Sequence, residues 1–119
     1  MSKIKRVIKA SYSFAVNGGA AGAIVPNPFA KAPIGAVITG AWTDGANLAK
    51  TSSATFAIAV GGVTVKGATA VDSADFSGLD AQLAATTLNK VTTNAPITIT
   101  IAGGTVTAGT LDVFVEYTI

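Results

Sequence analysis

With 119 residues, half of them apolar and 12% charged, the chain can bury a core of its own, and so few charges leave Ala, Gly, Ser and Thr to cover the outside, a composition that points to assembled life. It has no Cys and no His, which excludes thiol nucleophiles, histidine general bases, haem ligation and the zinc sites built on those side chains. The net charge of +2 is small but uneven, +5 over residues 1–43 and −3 over residues 44–119.

The first predicted element is a strand over Lys3 to Val16, with Ile8, Tyr12, Phe14 and Val16 on one side and Lys5, Lys9, Ser11 and Ser13 on the other. Four cations, Lys3, Lys5, Arg6 and Lys9, fall within the first nine residues. They fit an arm for nucleic acid, a membrane or an acidic protein face, and they equally fit a solvated strand edge on which lysines block unwanted pairing. The basic-then-apolar order imitates a secretory leader, but Ser11, Ser13, Asn17, Gly18 and Gly19 interrupt the apolar run. The charge-free stretch of residues 10–30 also contains Pro26 and Pro28, so the expectation is a soluble protein with neither a cleaved leader nor a membrane helix.

Asn17-Gly18-Gly19 supplies a turn, and a short strand over Ala20 to Val25 stops at Pro26-Asn27-Pro28. Pro33 opens a strand to Trp42 in which Ile34, Ile38 and Trp42 share a side, and Asp44-Gly45 begins a loop reaching Lys50. Over Ser53 to Val60, Phe56, Ile58 and Val60 alternate with Thr55, Ala57 and Ala59. Gly61-Gly62 then makes a tight hairpin, setting Val60 opposite Val63 and Ile58 opposite Val65. The region Val71 to Thr93 is the least patterned, with a helical turn near Ser77 to Leu83 and a strand from Ala85 to Val91. A second hairpin around Gly103-Gly104 sets Ile101 opposite Val106, and Gly109 turns the chain into the last strand. There Leu111, Val113, Val115, Tyr117 and Ile119 alternate with Asp112, Phe114, Glu116 and Thr118, the pattern of a half-buried central strand. Seven to nine short strands with frequent turns and no sustained helical period predict an all-β fold: a single antiparallel β-sandwich domain over residues 1–119, jelly-roll-like, or a small barrel.

Little reactive chemistry is present. Nothing in the spacing of Asp44, Asp72, Asp75, Asp80, Asp112 and Glu116 brings two carboxylates together for hydrolysis. Asp72, Asp75 and Asp80 could offer oxygens to calcium, but their loop lacks the alternating acids and final Glu of the helix-loop-helix site, and turn-forming aspartates are the reading preferred. Serines have no histidine partner, there is no Gly-x-Ser-x-Gly, and Gly18-Gly19-Ala20-Ala21-Gly22 lacks the lysine of a phosphate loop. No catalytic residue, metal ligand or cofactor is therefore expected. Trp42, Tyr12, Tyr117 and Phe29 could line a sugar-binding or partner-binding face, although single aromatics on strands usually belong to a core.

Three stretches carry a family likeness beside the Lys-rich opening strand: Pro33-Ile34-Gly35-Ala36-Val37-Ile38-Thr39-Gly40, Ser53-Ala54-Thr55-Phe56-Ala57-Ile58-Ala59-Val60-Gly61, and Thr107-Ala108-Gly109-Thr110-Leu111-Asp112-Val113-Phe114-Val115-Glu116-Tyr117. In these the chain resembles the small β-sandwich decoration, or cement, proteins of tailed bacteriophages. The resemblance implies a non-enzymatic homotrimer on the outer capsid surface that clamps subunits of the major capsid protein and touches neither nucleic acid nor membrane. Lys3, Lys5, Arg6 and Lys9 would then meet an acidic patch of the capsid or of a neighbouring subunit. Two other roles stay open: a head-fibre, tail-fibre or baseplate module that contacts the host, and a carbohydrate-binding domain in which Trp42 or Tyr117 stacks on sugar rings.

Overall fold

The computed structural model describes residues 4–76, 81–82 and 89–119. Its elements in chain order are β1 (Lys5–Ser13), α1 (Phe14–Asn17), β2 (Gly22–Ile24), β3 (Val37–Lys50), β4 (Thr55–Val60), β5 (Val63–Ala70), β6 (Ala81–Gln82), β7 (Thr98–Ala102) and β8 (Val106–Thr118). They form two four-stranded antiparallel sheets, one ordered β1-β8-β3-β6 and the other β2-β7-β4-β5. The first strand thus lies against the eighth, the second against the seventh, the third against the sixth and the fourth against the fifth. A chain folded back on itself in this way and rolled into two layers has the strand order of a jelly roll.

The period-2 pattern of β8 explains its place. Leu111, Val113 and Val115 are fully buried and Tyr117 nearly so, while the alternate residues carry the outer face between β1 and β3. Inward side chains of the two sheets interdigitate: Ala10, Tyr12, Ile38 and Val113 from one, Phe56, Ile58, Val65 and Ile99 from the other. Three rings join the layers edge to face, Tyr12 on Phe56 and Phe56 on Phe76, with centroids 5.5 Å apart in each pair. Among the described residues no helix is long and apolar enough to cross a membrane.

Several expectations are corrected. Strand β1 ends at Ser13, where the helical turn α1 takes over, so Phe14 and Val16 are exposed instead of continuing the buried side. Strand β3 begins at Val37, leaving Ile34 exposed, and a register shift between Ile38 and Gly40 makes Gly40 and Ala41 buried in succession. That bulge inverts the parity, so Trp42 lies on the outer face while Ile38 lies in the core. The predicted loop from Asp44 to Lys50 is the second half of β3. In the β4–β5 hairpin Val60 does face Val63, with φ of +57° at Gly61 and +85° at Gly62, but a register shift between Ile58 and Ala59 puts Lys66, not Val65, opposite Ile58. Gly103-Gly104 closes no hairpin, because β7 and β8 belong to different sheets and the chain arches from one layer to the other. Gly109 lies within β8. Of the region Val71 to Thr93, residues 81–82 pair with Trp42 and Thr43 as β6, and Lys90 bridges Val37. The helical turn near Ser77 to Leu83 and the strand from Ala85 to Val91 otherwise fall outside the described residues, except for residues 89–91.

Candidate interaction surface

Strand β1 is the edge of its sheet, and its register shows which backbone groups are left open. Ile4 and Ile119 exchange both backbone hydrogen bonds at 3.2 Å, and in an antiparallel ladder such pairs alternate with pairs that exchange none. The N–H and C=O of Lys5, Val7, Lys9 and Ser11 therefore point away from β8. Ser13 has the same parity, and its N–H indeed turns aside to donate to Asn17 Oδ1 at 2.9 Å. One edge acceptor, the carbonyl of Lys9, is taken by the Asn27 side-chain amide at 3.3 Å.

The four sequence-marked cations do not form one cluster. Lys5 and Lys9 stand on the outer face, Arg6 is of the opposite parity, all three are exposed, and Lys3 lies outside the described residues. Lys9 reaches across the face to Asp112 at 3.9 Å and lies 5.4 Å from the centroid of the Phe114 ring. Phe114 in turn pairs with Trp42, so the row Lys9, Phe114, Trp42 crosses the outer face, both rings half-buried. Asp44 and Asp112 face each other one row along. On the other side of the Phe114 row Glu116 accepts a hydrogen bond from Thr39 Oγ1 at 2.8 Å.

Beside this edge hangs a turn. The carbonyl of Asn27 accepts from Ala30 N–H at 3.1 Å and Asn27 Oδ1 accepts from Phe29 N–H at 3.0 Å, while Pro28 sets the φ of the position between. Ala30 is buried, its carbonyl accepting from Ile97 N–H at 2.9 Å. Phe29, held between these points, is 88% exposed. The dipeptide Asn27-Pro28 signals the turn in the sequence, but nothing local tells that the ring after it faces water.

The remaining candidates have structural employment. Asp72 pairs with Lys50 at 3.8 Å, and Asp75 with Lys66 at 2.6 Å. The Asp75 carbonyl also accepts from the buried Thr43 hydroxyl at 2.9 Å, and Asp80 falls outside the described residues. Among the described residues no three metal-ligating side chains converge. The four aromatics considered for a sugar face are scattered. Tyr117 is in the core, as is Tyr12, whose hydroxyl donates to the Gly18 carbonyl at 2.5 Å and whose pKa is pushed up by burial. Trp42 is half-covered on a sheet face and Phe29 stands alone.

No protein-family model matches the chain, and no curated protein sequence does. Among solved structures, it is similar to a chain of the cyanophage Pam1 capsid asymmetric unit, at 22% identity and a TM-score of 0.63, over 98% of this chain and 86% of that one. It is also similar to a chain of the acidic stable capsid of Helicobacter pylori bacteriophage KHP30, at 14% identity and a TM-score of 0.63, over 99% of this chain and 92% of that one. At such identities the likeness is one of fold, and it extends over nearly the whole of both partners.

Proposed function

We propose that this chain is a structural, non-enzymatic protein of a bacteriophage virion. Within that role it is a decoration or cement module, binding the outer head surface as a homotrimer and stabilising contacts between major capsid subunits. The observation that carries the reading is the near end-to-end match of its sandwich to chains from two phage capsids. The strand order supports it as well, since jelly rolls recur in viral capsid domains. Such a role needs no reacting group. It needs a rigid body with a surface that grips, and contacts that are weak singly become strong when symmetry repeats them. The edge of β1, with its outward backbone groups and the cations Lys5, Arg6 and Lys9, and with Lys3 just before it in the sequence, is the part that meets an acidic patch of the capsid or of a neighbouring copy.

The test is to label purified phage particles with an antibody raised against the chain and to image them. Label distributed over the head supports the cement role. Label confined to a tail, baseplate or head fibre instead supports a host-contacting module, and unlabelled particles sink the virion reading.

A further inference from the structure

Phe29 departs from the rule that the other rings obey. Tyr12, Phe56, Phe76 and Tyr117 are buried and Trp42 and Phe114 half-buried, and Phe14, at 38% exposed, packs beside Gly19. Phe29 alone is held almost wholly in water, and not by slackness. Its own N–H and the backbone N–H of Ala30 both donate to Asn27, its carbonyl accepts from Lys31 N–H at 3.0 Å, and Pro28 precedes it. The Asn27 amide ties the turn to the β1 edge, and buried Ala30 ties it to the core. A ring carried on a backbone fixed in this way leaves only its own side-chain rotation to be lost on docking, which suits a binding anchor. The charges beside it select the partner's charge: the turn is tied to the Lys9 carbonyl on the β1 edge, where Lys5, Arg6 and Lys9 are exposed, and Lys31 stands two residues away in the chain, exposed.

We propose that Phe29 is the anchor residue of the docking surface, its ring entering an apolar socket rimmed by carboxylates on a neighbouring protein. Resting on the function proposed above, that neighbour is a shell subunit of the virion. A second copy docking through the same edge would bring the cations of two β1 strands together, which like-charge repulsion opposes. A lipid surface is the poorer fit, because the turn offers one ring only: Pro28 is its sole other exposed apolar residue and Ala30 is turned into the core.

The experiment compares phage carrying the wild-type chain, Phe29→Ala, Phe29→Leu or the control Val16→Ala, which alters another apolar residue, 82% exposed, on α1. Chain retained on washed particles is followed over time after dilution, and the isolated chains are checked by thermal unfolding, vesicle binding and light scattering. The expected result is loss of Phe29→Ala from particles on the order of 30-fold faster than wild type, as for an interface hot spot. Phe29→Leu should fall between them, Val16→Ala should match wild type, and the isolated variants should unfold together. Equal retention of Phe29→Ala and wild type overturns the assignment while leaving the virion role intact. Wild-type chain absent from washed particles overturns the virion role and the anchor with it. Loss of binding to phosphatidylserine vesicles by Phe29→Ala, with particle retention unchanged, would transfer the ring to a membrane. A drop in solution mass of the isolated variant would make a second copy the occupant, and that too overturns the assignment.

Discussion

Gly109 shows how much one residue decides in this sheet. It sits inside β8 with φ of +110°, and a Cβ there would meet Leu48 Cα at 2.6 Å and the Asn47 carbonyl oxygen at 2.7 Å. Opposite it the β3 register jumps between Ala46 and Ala49, and Asn47 itself takes φ of +58°. Both strands depart from regular geometry at one place, where the two backbones press together. Substitution there adds a strained φ to a clash with main chain, neither relieved by turning a side chain. Gly109→Ala should cost roughly 3 kcal/mol of unfolding free energy. Gly67→Ala is the counterpart in β5, where an added Cβ meets nothing within 4 Å and no left-handed φ is required. It should be neutral or gain about 0.5 kcal/mol by restricting the unfolded chain. Urea midpoints of the two variants check both statements, and a wild-type midpoint for Gly109→Ala would mean that β3 can move aside.

At the scale of elements, the stability of the β1-β8-β3-β6 sheet depends on what stands opposite what. Asp44 on β3 and Asp112 on β8 are direct cross-strand neighbours, and Lys9 compensates only Asp112, from 3.9 Å. Asp44→Asn should therefore stabilise the protein, by about 0.5 kcal/mol at low salt. The gain should shrink in concentrated salt, because exposed charges are screened; a gain independent of salt would assign it to something other than repulsion. That pairing was not legible in the sequence, where Asp44-Gly45 reads as the start of a loop. Strand β8 was legible from Leu111 to Tyr117, where its alternation is unbroken, and the tip of the β4–β5 hairpin because Gly61-Gly62 can take two positive φ values in succession. The Gly103-Gly104 connection looks the same locally but leads elsewhere. Its outcome rests on distant partners, Thr51 N–H donating to the Thr105 carbonyl at 2.8 Å and Val106 N–H to that of Gly19 at 2.9 Å. The side taken by Trp42 was lost for a related reason, since a bulge inverts parity without leaving a turn signal. In the candidate surface, the exposure of Lys5, Arg6 and Lys9 followed from their charge. Phe29 was legible only as part of a turn, because whether a ring is covered depends on what comes back over it.

For the whole molecule, the uneven charge becomes a spatial fact: Lys5, Arg6 and Lys9 lie along the free edge of the β1-β8-β3-β6 sheet, and the turn bearing Phe29 hangs beside them. If that edge meets an acidic shell, attachment is the product of an apolar anchor, which salt hardly touches, and a cationic row, which salt weakens. The two contributions can be separated. Replacing Lys3, Lys5, Arg6 and Lys9 together by Gln should leave the fold intact, since Lys5, Arg6 and Lys9 are exposed and the one ion pair sacrificed among the described residues, Lys9 with Asp112, is a partly solvated contact. On particles, the variant should bind more slowly and with a flatter dependence on ionic strength, while Phe29→Ala should keep the salt slope and lose residence time. Light scattering should give both variants the solution mass of the wild-type chain, so that a change in binding is not a change in oligomer. Association and dissociation measured across a salt series would decide the matter. Unchanged attachment and an unchanged slope in the charge variant would return the lysines to their other role, guarding an unpaired strand edge against the wrong partner.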